Sequence, residues 1–308
     1  MRVLVVHNPR AGHDELSREA LTSQLQRAGH AVVWFDRGQG SLGDALAQPV
    51  DTVVVAGGDG SVGAVGRELA GRALPIAILP AGTANNLAAV LGATWENLIR
   101  RLDDGRLVAF DVGVLEGSAG KRLFLEGVGL GPFANTVALG ELLERHRQVD
   151  SREDELARDL QALRESVLTS PACECRLDLD GDEVSGSFVM IEITNAGVIG
   201  PNLLLSPGAV PFDALLDVFL VRASERDELL AVLERKANAP PTPAFPVRRA
   251  RTVRFRAPAG QRLHIDGEML VHDEPLDLRI AVEPGALRFY VPRGMTWNED
   301  LPIRRQIS

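Results

Sequence analysis

The stretch Thr52-Val53-Val54-Val55-Ala56-Gly57-Gly58-Asp59-Gly60-Ser61 decides the fold of the first third of the chain. Its first half is nearly all β-branched and lacks polar alternation, as expected of a strand covered on both faces. Its second half is a glycine-rich turn, after which Val62, Val65 and Leu69 recur on one helical face. Upstream, Arg2 to Val6 is a short apolar run, and Leu16, Ala20, Leu21, Leu25 and Ala28 recur at helical spacing. Gly29 is a natural helix stop before a strand from Ala31 to Phe35. Downstream, Ile76 to Leu79 reads as another strand. Strand and helix thus alternate, which predicts an α/β domain with a largely parallel sheet.

Past about residue 110 the rhythm changes to strands joined by turns. Phe188 to Thr194, Asp217 to Val221, Val253 to Arg256, Arg262 to Ile265, Leu276 to Ala281 and Ala286 to Tyr290 read as strands bounded by Gly, Pro or Asp. One long polar helix, about Gly140 to Leu168, interrupts them, and the four prolines of Ala239 to Pro246 suggest a rigid connector. The expected division is an α/β domain of residues 1–112 plus 291–308 and a β-rich domain of residues 113–290.

The 308 residues are enough for two domains with real cores, and 45% hydrophobic with 24% charged composition excludes a disordered chain. A formal net charge of −9 argues against a broad nucleic-acid-binding surface, so an anionic ligand must be held locally. No run approaches the roughly 18 apolar residues of a spanning helix, and the apolar start is too short for a signal peptide, which predicts a cytoplasmic protein. Cys173 and Cys175 fall on an expected strand, where successive side chains point to opposite faces, and are read as poorly placed to pair.

Gly57-Gly58-Asp59-Gly60-Ser61 carries the clearest chemical signal. Glycines let a ligand approach the backbone, and the following helix start presents N–H groups and a positive dipole end, which suits a phosphate. Asp59 would repel that phosphate unless a divalent cation or an ordered water lay between them. A tight turn with Ser61 as helix N-cap is the plain structural alternative. Gly58-x-Gly60-x-x-Gly63 also matches a dinucleotide fingerprint, but Ile76 to Ala84 lacks the acid expected to hold a ribose, which disfavours a dehydrogenase. A second strand-to-helix junction, Leu79-Pro80-Ala81-Gly82-Thr83-Ala84-Asn85-Asn86, repeats the logic, and Asn8-Pro9-Arg10-Ala11-Gly12 is a third polar turn on the same sheet edge. Far along the chain, His264-Ile265-Asp266-Gly267-Glu268 sets two carboxylates at a glycine turn, readable as a surface hairpin or as an acid-base pair. The Walker lysine, the His-Glu-x-x-His motif and the Gly-x-Ser-x-Gly elbow are all missing.

Taken in order, the Asn8, Gly57 and Leu79 stretches, Phe212-Asp213-Ala214-Leu215-Leu216-Asp217 and Asp266-Gly267-Glu268 resemble the diacylglycerol kinase catalytic-domain superfamily, in particular the soluble bacterial lipid kinases. The resemblance implies a Rossmann-like nucleotide domain and a second, β-sandwich-like lipid-binding domain. It implies phosphorylation of a lipid hydroxyl, diacylglycerol or a related lipid, with ATP as co-substrate and Mg²⁺ as cofactor. Residues Asn8, Pro9, Gly57, Gly58, Asp59, Gly60, Ser61, Gly82, Thr83 and Asn85 would hold the nucleotide, with Asp59 also serving catalysis. Asp266 matches the general base, Glu268 its acidic partner and Asp213 a magnesium-binding aspartate. Members often carry Thr at Ser61, Glu at Ala64, Asp at Asn86 and Gly at Ala214. Ser61 keeps the hydroxyl, whereas the carboxylates missing at 64 and 86 would weaken metal or nucleotide binding.

A soluble acidic protein that reaches a lipid visits the membrane transiently and needs an apolar opening, for which Leu203 to Leu205 are candidates. A homodimer is compatible with this reading. Two rivals stand beside it: an NAD kinase-like enzyme, which shares a Gly-Gly-Asp-Gly loop but whose Asn-Glu pair occurs here only at Asn298-Glu299, and a catalytically weak nucleotide- or lipid-binding regulator, suggested by Ala64 and Asn86.

Overall fold

The computed structural model describes residues 1–9, 17–136, 151–235 and 245–295. Arg10 to Gly12, the first part of the expected long helix, most of the proline-rich connector and Asn298-Glu299 lie outside them. The described residues divide into two compact units, Met1–Phe110 together with 284–295, and Asp111–Glu283.

The first unit runs β1 (Arg2–His7), α1 (Arg18–Arg27), β2 (Ala31–Asp36), α2 (Leu42–Leu46), β3 (Thr52–Gly57), α3 (Asp59–Leu69), β4 (Ile76–Pro80), α4 (Asn86–Val90) and α5 (Leu98–Asp104). Its strands lie side by side as β2-β1-β3-β4, all parallel. Val3, Val5, Val54, Ala56, Ala77 and Leu79 face Leu21 and Leu25 of α1 and Leu98 and Leu102 of α5. The alternate residues Leu4, Val6, Val53 and Val55 are equally buried, so both faces are covered, as the unbroken apolar runs require. Ser17 caps α1 by accepting the Ala20 N–H at 3.1 Å, and Gly29 follows the helix at φ +79°. Because the strands are parallel, their C-terminal ends and the loops that follow them gather at one edge of the sheet.

The second unit begins within β5 (Arg106–Gly117) and continues through β6 (Gly120–Phe124), β7 (Gly127–Leu130), α6 (Arg152–Thr169), β8 (Cys173–Leu179) and β9 (Asp182–Thr194). It goes on with β10 (Val198–Ile199), β11 (Leu203–Leu204), β12 (Leu216–Arg222), α7 (Arg226–Arg235), β13 (Val247–Ala250), β14 (Thr252–Ala257), β15 (Gln261–Ile265), β16 (Glu268–His272) and β17 (Leu276–Val291). The ladder runs β16-β15-β7-β9-β8-β14-β17, with β12 also on β9 and β13 on β12. One core joins Phe124, Val128, Leu177, Ile193, Phe255 and Leu278, and a second seats α6 and α7 against β9 and β12 through Leu163, Val167, Leu229, Val189 and Val221.

Four sequence readings change here. Leu276 to Ala281 and Ala286 to Tyr290 belong to one strand, β17, which passes Pro284 and Gly285 without turning back. Gly285 supplies the φ of +61° that the strand takes there, and the pairing partner changes from β14 on Thr252–Ala257 to β4 at Phe289. Leu203, Leu204 and Leu205 are buried, with Leu203 and Leu205 packed beside Phe133 and Ile199, so they form core and not an apolar opening. Cys173 and Cys175 are two residues apart on β8 and share its inward face, where both are buried free thiols. Finally, the N-cap of α3 is Gly58, and Ser61 is a buried residue of the helix's first turn.

Candidate functional site

In the first unit the glycines of the loop after β3 do different work. A Cβ on Gly57 would meet the Ser61 Oγ at 2.6 Å, so that glycine lets α3 start tight against its own strand. Gly58 and Gly82 lie back to back: a Cβ on Gly58 would stand 2.9 Å from the Gly82 Cα, and one on Gly82 would stand 2.3 Å from the Gly58 Cα. The two loops therefore touch backbone to backbone. Gly60 is exposed, and a Cβ there would meet nothing within 4 Å.

Asp59 fastens the same two loops. Its Oδ2 accepts the Asn86 N–H and its Oδ1 the Leu87 N–H, each at 2.9 Å, which caps α4 from a position 27 residues upstream. Asn85 sits in the left-handed region at φ 53°; its Oδ1 accepts the Gly82 N–H at 2.9 Å and its Nδ2 donates to the Gly82 carbonyl at 2.5 Å. Asn-type side chains tolerate this conformation because they close such local bonds. Asn86 is buried, Thr83 and Ala64 are partly exposed, and the Trp95 Nε1–H donates to the Pro80 carbonyl at 2.8 Å beside this turn.

At the other end of the edge, the Asn8 N–H donates to the Ala56 carbonyl at 3.1 Å, and its Nδ2 lies 3.4 Å from Ser61 Oγ. Arg37 donates from Nη1 to the same Ser61 Oγ at 3.0 Å. Arg37 escaped the sequence reading: it follows β2 directly, and only the parallel pairing of β2 with β1 brings it to the glycine loop. A fixed positive charge, the start of an eleven-residue helix and an open glycine thus converge, a combination suited to phosphate oxygens. Pro9 lies exposed in the turn after Asn8.

In the second unit Asp266 and Gly267, at φ 48° and 77°, form the two-residue turn joining β15 to β16. The hairpin reading therefore holds, yet the Asp266 carboxylate faces inward along the chain. Its Oδ2 accepts the Leu125 N–H at 2.9 Å, while Oδ1 accepts those of Glu126 at 2.8 Å and Gly127 at 3.2 Å. The Asp266 N–H donates to the Gly127 carbonyl at 2.9 Å. Glu268 opens β16 and is exposed. Asn195 braces this region by donating to the Asp111 carbonyl at 2.8 Å and the Leu125 carbonyl at 3.3 Å.

Two residues upstream of Asp266, His264 Nε2 lies 2.8 Å from Glu192 Oε2, both fully buried. Gly129 of the intervening strand β7 leaves the room, since a Cβ there would stand 2.0 Å from Glu192 Oε2. Burial pushes the Glu192 carboxyl above the usual carboxylate range, against the pull of His264. The lone acid in the apolar run Val189-Met190-Ile191-Glu192-Ile193 was the available signal for this pair.

Asp213 lies on a separate turn. Its Oδ1 accepts the Leu215 N–H at 3.0 Å, and its Oδ2 accepts from Arg249 Nη2. Ala214, at φ 60°, holds the left-handed conformation that explains why a glycine suits this place. Burial raises the neighbouring Asp217 to about 6, opposed by the Ser206 hydroxyl and by Arg249. Among the described residues no group of three or more His, Cys, Asp or Glu side chains is arranged to hold a metal ion.

Glycine loops gathered at the C-terminal ends of parallel strands are an architecture suited to phosphate groups, and here a β-rich second unit follows them. Residues 2–115 match the diacylglycerol kinase catalytic domain, and residues 143–291 match the YegS C-terminal NAD kinase beta sandwich-like domain. The chain is 31% identical over 300 residues to a Pseudomonas aeruginosa protein named "Probable lipid kinase YegS-like", covering 95% of this chain and 94% of that one. It is 28% identical over 305 residues to a diacylglycerol kinase of Mycobacterium tuberculosis, covering 95% and 96%. The crystal structure of a diacylglycerol kinase from Bacillus anthracis superposes with a TM-score of 0.68 at 19% identity, covering 94% and 96%. Yeast NADH kinase complexed with NADH superposes with a TM-score of 0.54 at 10% identity, a likeness of fold. The chain belongs to the diacylglycerol kinase catalytic-domain family, in its YegS-like lipid kinase branch.

Proposed function

We propose that the chain transfers the γ-phosphoryl group of ATP to the hydroxyl of diacylglycerol or a related lipid. Family membership makes it an ATP-dependent lipid kinase; the acceptor and the residue roles are our reading. The observation that carries it is the pair of strand-to-helix loops, locked by Gly58 against Gly82 and by Asp59 on the α4 N–H groups, beside open Gly60 and Arg37. Gly57, Gly58, Gly60, Ser61, Gly82, Thr83, Asn85, Asn8 and Pro9 line the nucleotide's edge, and Arg37 offsets phosphate charge there.

Magnesium bound with the nucleotide would offset further charge on the transferring phosphoryl group. With phosphates present it needs only one or two protein carboxylates, so the absence of a three-acid cluster among the described residues is compatible with it. Asp266 accepts the proton of the attacking hydroxyl, held in position by the three N–H donors of Leu125 to Gly127, and Glu268 is its acidic partner. The protein would meet its acceptor at a membrane surface from the cytoplasm; among the described residues no helix is long and apolar enough to cross a membrane. The test is incubation with labelled ATP, Mg²⁺ and total lipid extract, with the product identified by mass, and parallel arms containing NAD in place of lipid and no acceptor at all. A labelled lipid supports the proposal. Label on NAD alone, or nucleotide binding without turnover, overturns it in favour of a nucleotide kinase or a regulator.

A further inference from the structure

Asp213 and Asp217 stand four residues apart around one turn, and Asp217, with 4% of its side chain exposed, is a carboxylate that needs a positive partner. The resemblance assigns a magnesium ion to Asp213. In the structure Arg249 donates to that carboxylate. Arg249 of β13 is the cross-strand partner of Asp217 of β12, so strand register sets the guanidinium beside that carboxylate. Its Nε lies 3.5 Å from Asp217 Oδ1, and its Nη2 donates to Asp213 Oδ2. The rest of the turn is held by neutral donors: Leu215 N–H on Asp213 Oδ1 at 3.0 Å, Ser206 hydroxyl on Asp217 Oδ1 at 2.9 Å, and Ala214 N–H on Asp111 Oδ2 at 2.8 Å.

We propose that Arg249 is a built-in replacement for a divalent cation at this turn, its guanidinium bridging Asp213 and Asp217 so that the second unit folds without a metal ion there. Magnesium needs near-octahedral oxygen ligands, at about 2.0–2.1 Å. The guanidinium uses one oxygen from each carboxylate and brings a full positive charge that a dication would have to approach. Arginine keeps its charge at any ordinary pH, and no chelator removes it. The guanidinium bridge belongs to this turn alone and is independent of the metal that accompanies ATP.

The test uses the full chain, freed of metal and without nucleotide. Wild-type protein should melt at the same temperature in EDTA and in excess magnesium chloride. Manganese titration followed by electron paramagnetic resonance should find the same number of bound ions in wild type and in Asp213→Asn. Arg249→Met should lower the melting temperature by several degrees in EDTA, and magnesium or manganese should restore it by filling the vacated charge. Arg249→Lys should fall between the two. One manganese ion bound by wild type and lost in Asp213→Asn would overturn the proposal. So would an Arg249→Met protein whose stability is unchanged, or is lowered beyond repair by either ion; if that variant cannot be purified, the wild-type manganese count against Asp213→Asn still decides.

Discussion

Replacing Gly60 by alanine separates a glycine kept for a ligand from glycines kept for the fold. Gly60 is the second residue of α3, its φ is not left-handed, and a Cβ there meets nothing within 4 Å. Alanine in place of glycine within a helix gains about 0.5–1 kcal/mol through the unfolded chain's lost freedom. For a protein of this size that corresponds to a rise in Tm of about 1–4 °C. If phosphate oxygens pack on the Gly60 backbone, the new methyl group obstructs them. Losing one hydrogen bond to a charged group costs about 1.5–3 kcal/mol, which corresponds to a rise of roughly 10- to 150-fold in the ATP dissociation constant. Gly82→Ala should behave oppositely, because its Cβ would stand 2.3 Å from the Gly58 Cα and one of the two loops must move. Thermal denaturation and calorimetric ATP titration of both variants decide the matter. A Gly60→Ala protein that is folded and binds ATP as wild type does would refute the phosphate path, and one that unfolds would refute the packing argument.

Asp266→Asn should lower kcat by about 10²- to 10⁴-fold with the ATP dissociation constant nearly unchanged; because an amide cannot accept all three N–H bonds, Tm should fall too, and a near-normal kcat with confirmed lipid product would move the base elsewhere. Arg37→Met should raise KM for ATP about tenfold or more while kcat and Tm hold, since the arginine's guanidinium donates to the Ser61 hydroxyl at the mouth of the glycine loop; an unchanged KM would remove Arg37 from the nucleotide edge. Asp59→Ala should lower both Tm and turnover, since leaving the Asn86 and Leu87 N–H groups without their acceptor costs about 1–3 kcal/mol; a full melting temperature with lost turnover would mean that the carboxylate serves the metal or phosphate alone.

The α/β order of the first unit was legible because its evidence is local. A nearly unbroken β-branched run such as Thr52–Ala56 has few uses other than a strand buried on both faces, and a glycine turn ahead of a helical stripe has few readings in a parallel sheet. Strand β17 was misread for the same reason. Pro284-Gly285 is turn chemistry in sequence, and only pairing first with β14 and then with β4 keeps the strand running through it. Leu203 to Leu205 show a further limit: three apolar residues look alike whether they face a lipid or a core, and here all three are buried, Leu203 and Leu205 in one core with Phe133 and Ile199.

The candidate site divides along the same line. The side chains were visible as types, but their partners lie 27 residues away for Asp59, 24 for Arg37 and about 140 for Asp266. Those partners change what each residue means. An acid among glycines suggests a metal ligand, whereas the Asp59 carboxylate has a structural duty at the start of α4. The Asp266 carboxylate likewise joins the β15–β16 hairpin to the start of β7, so a substitution there disturbs position and proton transfer together. A fall in kcat beyond the loss of folded protein measures the chemistry, and the fall in Tm measures the brace. Only the two together assign Asp266 its role, because a general base that also anchors its own loop cannot be removed from one duty alone.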